Sequence, residues 1–275
     1  MVYFWCSFSP LSLAFSLRQF LKSVASVRAF GRDTGRNSVG GAAIKEEGGK
    51  EKVRTCALAL LTVLLCLSPS LADQVNWFDG GQRTYGIVRG VKGTITTSPP
   101  PLLHGGQFSC AWVMICTATG PERFAQAGYM RRTGHTGLEI FVCITDAEGN
   151  YDANYKWFSA PGGGDHIYEC LQNASTKVWT VKYDGGFLYR SVGNTAWDGD
   201  TCEFEGEVAP TRAVQMVGDS EHPVMFSQLY RWSPVCGSQW QDAYPTHWLN
   251  EGVDYGWHLD LDVTNGKFWI WDETP

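Results

Sequence analysis

Short β-branched and aromatic runs recur along this chain between Gly, Pro, Asn and Asp punctuation, and no stretch sustains a 3.6-residue apolar period. "TYGIVRGVKGTITT", "FSCAWVMICTA", "LEIFVCIT", "KVWTVKYDGGFLYRSV" and "VMFSQLYRW" are examples. Without amphipathic helices, the only way to bury these side chains is sheet against sheet. The pattern therefore predicts an all-β protein, an antiparallel sandwich or barrel.

Two hairpins are readable within it. Asp184-Gly185-Gly186 separates two strands, and Asn265-Gly266 has the residue types of a tight primed turn. In the second hairpin Leu259, Leu261 and Val263 are expected to share a face. Residues 98–106 and 160–165 read as loops. From about Trp232 the chain is rich in Trp and Tyr, as expected of a long crossover or a cap on the same core. Eleven tryptophans follow residue 72; sugar stacking is one use for them, core and hairpin packing the commoner one.

The N-terminal part has a different texture. Lys50, Lys52 and Arg54 precede the apolar run Ala57–Leu67, and Ser70 and Ala72 hold the small-residue positions of a cleavage site. Residues 53–72 thus read as a secretory signal peptide, with 1–52 as an upstream segment outside the mature protein and 73–275 as a single domain. A signal anchor or transit segment within 1–50 is the competing reading. A run of about 11 apolar residues is too short to span a bilayer, so no membrane span is expected in the mature chain. The expected location is extracellular. Beyond residue 72 there are 13 Lys and Arg against 24 Asp and Glu, an acidic balance that argues against nucleic acid as a partner.

Six cysteines remain in the mature chain: Cys110, Cys116, Cys143, Cys170, Cys202 and Cys236. An even count in an exported protein suggests up to three disulfides, with buried thiols as the alternative. The six histidines are scattered and no spacing suits a metal, so no cofactor is expected. Asn173-Ala174-Ser175 is a glycosylation sequon for a eukaryotic host.

The segment that carries chemistry is "CEFEGEVAP", residues 202–210. On a strand, Glu203, Glu205 and Glu207 share one face while Phe204, Gly206 and Val208 take the other. Together with "AWVMICTATGPERFAQAGY" (111–129) and "DANYKWF" (152–158), in this order, the stretch 202–226 resembles the glutamic peptidases: the fungal eqolisins and the plant neprosin group. Lys156 departs from the pattern, standing where a glutamate is common. The resemblance covers about 120 residues and omits the C-terminal 45 or so.

It implies a concanavalin-like sandwich with a Gln and a Glu facing each other on the concave sheet, acting on polypeptide substrates. Gln126 takes the first position. Aligned on "GEV", Glu207 takes the second; aligned on an acid before an aromatic, Glu203 does. The first alignment keeps Gly206 and Gln215-Met216 in register and is preferred on sequence.

The Glu would take a proton from water as general base, and the Gln would donate to the developing oxyanion. Three glutamates on one sheltered face cannot all ionise cheaply, which predicts activity at acid pH. Tyr129, Tyr155, Trp157 and Glu205 are candidates to line the substrate groove, the aromatic ones being equally suited to the core. Without the chemistry, the same sandwich serves as a carbohydrate-binding or surface module, and the glutamates become a solvated strand face. A glycoside hydrolase would need a second carboxylate across the groove.

Overall fold

The computed structural model describes residues 76–99, 103, 106–118, 123–209 and 214–273. The expected signal peptide and upstream segment lie outside the described residues, as does the side chain of Cys236. From Asn76 onward the chain forms one compact unit.

Among the described residues the strands run β1 (Trp77–Val88), β2 (Gly90–Thr97), β3 (Phe108–Cys116), β4 (Phe124–Arg132), β5 (Glu139–Ile144), β6 (Tyr155–Phe158), β7 (Gly164–Gln172) and β8 (Trp179–Tyr183). They continue with β9 (Gly186–Arg190), β10 (Gly199–Ala209), β11 (Val224–Ser233), β12 (Gln239–Asp242), β13 (His247–Asn250), β14 (Trp257–Asp262) and β15 (Lys267–Asp272). They build two antiparallel sheets, ordered β13-β1-β10-β3-β4-β5-β6 and β14-β15-β11-β2-β7-β8-β9, with β12 paired to β11. The protein is an all-β sandwich. No helix among the described residues is long and apolar enough to cross a membrane.

Period-two alternation decides which side chains meet between the sheets. Ala111, Val113 and Ile115 of β3, Ala127 and Tyr129 of β4, and Phe204 and Val208 of β10 point inward. They meet Val91, Ile95, Tyr168 and Phe226 of the second sheet in one buried cluster. Tyr129 is fully buried there, its hydroxyl donating to the carbonyl of Thr96 across the sandwich at 3.1 Å. It is a core residue and not a groove residue, because its place in β4 puts it on the face opposite Gln126. Burying a side chain such as Phe204 stabilises by about 3 kcal/mol.

Strands β3, β4 and β10 are central, and their outward faces are largely withdrawn from water as well. That is why "FSCAWVMIC" reads as an unbroken apolar run instead of alternating.

The C-terminal stretch is neither a crossover nor a cap. It is divided between the sheets: β13 adds an edge strand to the first beside β1, while β14 and β15 extend the second beyond β11. The hairpin expected at 184–186 forms, but its loop is the two residues Asp184-Gly185, with φ of 49° and 76°, and Gly186 already belongs to β9. The Asn265-Gly266 turn differs. Asp262 accepts hydrogen bonds from the backbone and side-chain amides of Asn265, winding 263–265 into a 3-10 turn with Gly266 alone at positive φ. Val263 therefore leaves the strand and is exposed, while Leu259 and Leu261 share a face of β14 as expected, the first half-buried and the second exposed.

The disulfide expectation also needs correction. Cys110, Cys116, Cys143, Cys170 and Cys202 are buried thiols, none in a disulfide. All five sit within strands of the sandwich, packed as small apolar side chains. Asn173 lies in the exposed β7–β8 turn, its side-chain oxygen accepting from the backbone amides of Ser175 and Thr176.

Candidate active site

The three glutamates of β10 point away from the core, onto the outward face of the first sheet. Antiparallel register then fixes their neighbours. Glu203 is level with Met114 of β3, and Met114 with Gln126 of β4. Gln126 is level with Cys143 of β5, which is level with Tyr155 of β6. One row across the sheet therefore reads Tyr155, Cys143, Gln126, Met114, Glu203.

Gln126 and Glu203 are two strand spacings apart, roughly 9.5 Å between Cα atoms. The buried Met114 stands between them on the same face. Glu207 sits four residues further along, level with Cys110 and Met130. That adds about 13 Å along the strand, so Glu207 and Gln126 are not brought together.

The middle row holds Trp157, Phe141, Gly128, Trp112, Glu205 and Gly80. Its two glycines keep space around Trp112 and Glu205. A Cβ on Gly128 would collide with the carbonyl oxygen of Ala111 and come within 2.8 Å of the Trp112 Cβ. Gly80 has φ of 150°, and a Cβ there would lie 2.9 Å from the Cγ of Glu205. At the sheet edge Tyr155 and Trp157 are in contact, with ring centroids 4.9 Å apart, and both are half-buried. Tyr155 ends the Gln126 row and Trp157 the middle row, both on the side away from Glu203.

The three carboxyls have different surroundings. Glu207 is almost fully hydrogen-bonded: Asn76 Nδ2 donates to Oε1 at 2.6 Å, and Trp112 Nε1 to Oε2 at 2.9 Å. The Cys110 thiol lies 3.7 Å from the same Oε2. Burial pushes its pKa up to about 7 against the pull of these donors.

Glu203 is half-buried, and the Cys116 thiol donates to its Oε1 at 3.2 Å. Burial is the main cause that lifts its pKa to about 7. The thiol opposes the rise, and the Asp200 charge adds to it. Glu205, between them, is 2 % exposed, and its Oε1 is buried with no hydrogen-bond partner. Burial, then the charges of Glu203, Glu207, Glu251 and Asp79, raise it well above the ordinary carboxylate range. The face therefore stores protons: Glu205 stays protonated while Glu203, nearest to water, ionises more easily.

Sequence reasoning missed Cys116, Trp112 and Asp79. The first two were within reach, because alternation in "CAWVMIC" puts Cys110, Trp112, Met114 and Cys116 on one face. Asp79 is fully buried on the inward side of β1, held up to about 7 by burial against the backbone N–H groups of Gly252 and Glu251.

No family model and no curated protein matches the sequence. Among solved structures, the chain is similar to Scytalido-glutamic peptidase bound to a peptide-based transition-state analogue, at 13% identity and a TM-score of 0.49. That match covers 72% of this chain and 98% of the other. It is similar to SCP-B, an eqolisin-family peptidase in complex with a tripeptide, at 12% identity and a TM-score of 0.45, with the same coverage. A prokaryotic β-1,3-1,4-glucanase from a mouse hindgut metagenome aligns over 46% of this chain and 55% of its own, at 10% identity and a TM-score of 0.34.

Proposed function

We propose that this protein is an exported endopeptidase of the glutamic type, with Glu203 as general base and Gln126 as oxyanion donor. The observation that carries the proposal is the register that sets Gln126 level with Glu203 across Met114. Of the two alignments with the glutamic peptidases, the row favours the eqolisin-like one over the neprosin-like one. In the latter the base would be Glu207, whose oxygens are already engaged by Asn76 and Trp112.

In this mechanism ionised Glu203 takes a proton from a water held between it and Gln126. The hydroxide adds to the scissile carbonyl, and the Gln126 amide N–H donates to the oxygen that becomes negative. Glu203, now protonated, gives its proton to the departing amine as the C–N bond breaks. Cys116 orients the carboxyl through Oε1. Protonated Glu205 spares the site a second buried charge. Tyr155 and Trp157 offer a wall for an aromatic or large apolar substrate side chain.

A base with pKa near 7 is mostly protonated in acid solution, so kcat/KM is expected to rise with pH as Glu203 ionises and to level off above about 7, unlike the acid-pH activity expected from the sequence. Export rests on the leader at 53–72 alone, since the cysteines give it no support. The test is cleavage of an unfolded protein substrate between pH 3 and 8 by wild type, Glu203→Gln, Glu207→Gln and Gln126→Ala. Loss of activity in the Glu203 and Gln126 variants, with Glu207→Gln retaining it, is expected. Equal cleavage by all four refutes the dyad.

One observation supports a second reading. Glu203 and Glu205 are two residues apart on one strand face, about 6.6 Å between Cα atoms. Side chains leaving one strand face at this spacing can hold their carboxyls roughly 5–9.5 Å apart, as paired acids in glycoside hydrolysis are, although they come from one strand and not from across a groove. Such an enzyme would cleave a β-glucan, lose activity on either glutamate substitution and be indifferent to Gln126→Ala.

A further inference from the structure

The C-terminal stretch that the glutamic-peptidase resemblance leaves out builds a second concavity, away from the glutamate face. It lies at the sandwich edge between β11 and β13, with the β14–β15 turn as its far wall, an open cleft of about 700 Å³. Sites for small molecules commonly measure about 300–1,000 Å³.

Its aromatic side is held in place by packing. Gly81 leaves room for the Trp248 ring, which a Cβ there would meet at 2.7 Å. Trp248 stands edge-on to Tyr244 at 5.4 Å and to Phe268 at 5.2 Å. The Tyr244 hydroxyl donates to the carbonyl of Lys267. The Trp248 and Tyr244 rings remain half-buried, with part of each surface open to the cleft.

The polar side consists of planar hydrogen-bonding groups. Gln228 sits at a bulge in β11, between Ser227 and Tyr230, in the left-handed region with φ of 50°. A bulge with a strained non-glycine residue re-aims a side chain and recurs at functional sites. Its side chain is exposed in the cleft, where its oxygen accepts from Thr94. Asp242 and Asn265 line the same space, and the Arg83 guanidinium reaches in to donate to the carbonyl of Tyr244.

We propose that this cleft binds a neutral oligosaccharide. Indole and phenol faces stack on the apolar faces of sugar rings, while amide, carboxylate and guanidinium groups match vicinal hydroxyls, which both donate and accept. One Arg against one Asp leaves the lining without net charge, which disfavours polyanionic sugars. Leu229 and Val263 are the aliphatic residues of the lining apart from Pro245, too few for a lipid or an apolar peptide. The cleft uses neither Gln126 nor the glutamates, so it stands independently of the peptidase reading.

The full chain is titrated with neutral tetrasaccharides of glucose, mannose and xylose and with one sulfated oligosaccharide, following backbone and indole N–H resonances. Saturable binding of at least one neutral sugar near about 1 mM is expected, with shifts centred on 228, 242–248 and 263–266. Trp248→Ala should weaken it about tenfold. Gln228→Gly, which keeps the left-handed backbone, should weaken it at least about threefold. If Trp248→Ala fails to fold, Gln228→Gly decides. No saturation by any neutral sugar, preference for the sulfated one, shifts centred on the glutamate face, or affinity unchanged in Gln228→Gly overturns the proposal.

Discussion

Raising the pH from 4.5 to 7.5 should destabilise this protein steeply. Glu203 and Glu207 are held near pKa 7 against an ordinary 4.5, and Asp79 near 7 against 3.8. In each case the folded state keeps a proton that the unfolded chain releases first. Stability is therefore full below the unfolded pKa and is lost as pH climbs towards the folded one. At 1.36 kcal/mol per unit between pH 4.5 and about 7, each of the three removes about 3 kcal/mol.

Glu205, facing Glu203, Glu207, Glu251 and Asp79, is displaced in the same direction. Because these carboxyls act on one another their contributions do not add, but each alone is a sizeable part of the stability of an ordinary domain, about 5–15 kcal/mol. On the acid side the sign reverses. Asp198, bound by Arg89 and Lys177, is held below its ordinary pKa, so its contribution fades as pH falls below about 4. Maximal stability belongs near pH 4–5.

Urea unfolding followed by circular dichroism at pH 4.5, 5.5, 6.5 and 7.5 checks this. The midpoint should fall at every step with m unchanged, and Glu205→Gln should flatten the decline. A midpoint constant or rising across that range refutes the account of the buried carboxyls.

Four further outcomes follow from the same geometry. Glu207→Ala leaves the Trp112 indole and the Asn76 amide without their acceptor, so it should cost about 2–4 kcal/mol in unfolding free energy, read from denaturant curves. Gly128→Ala forces a methyl against the carbonyl of Ala111 and should lower stability by about 1–3 kcal/mol or more, visible as a drop in melting temperature. Cys116→Ala removes the thiol that lowers the Glu203 pKa, and the acid limb of the kcat/KM profile should move to higher pH. Adding a reductant should leave the melting curve unmoved, and thiol titration in denaturant should count at least the five buried cysteines.

Alternation is a local property, written in neighbouring residues. The face shared by Glu203, Glu205 and Glu207, the inward set of Phe204 and Val208, and the hairpin break at 184–186 were therefore all legible in the amino-acid order. Register is not local. Whether Gln126 lies level with Glu203 or Glu207 depends on how β4, β3 and β10 slide past one another. Packing settles that across some 80 residues of intervening chain, and a slip of two residues would keep every side chain on its face while changing its partner.

The same division holds for the cysteines, whose even number suggested bonds that their positions within the strands do not make. It holds for the C-terminal stretch, whose texture gave no sign that it would feed both sheets. The chain by itself determined an all-β protein with an acidic strand face, because periodicity and turn chemistry act within a few residues. The pairing of amide with acid, the burial that keeps protons on the carboxyls and the cleft at the sandwich edge were decided only in three dimensions, where distant segments exclude water from one another.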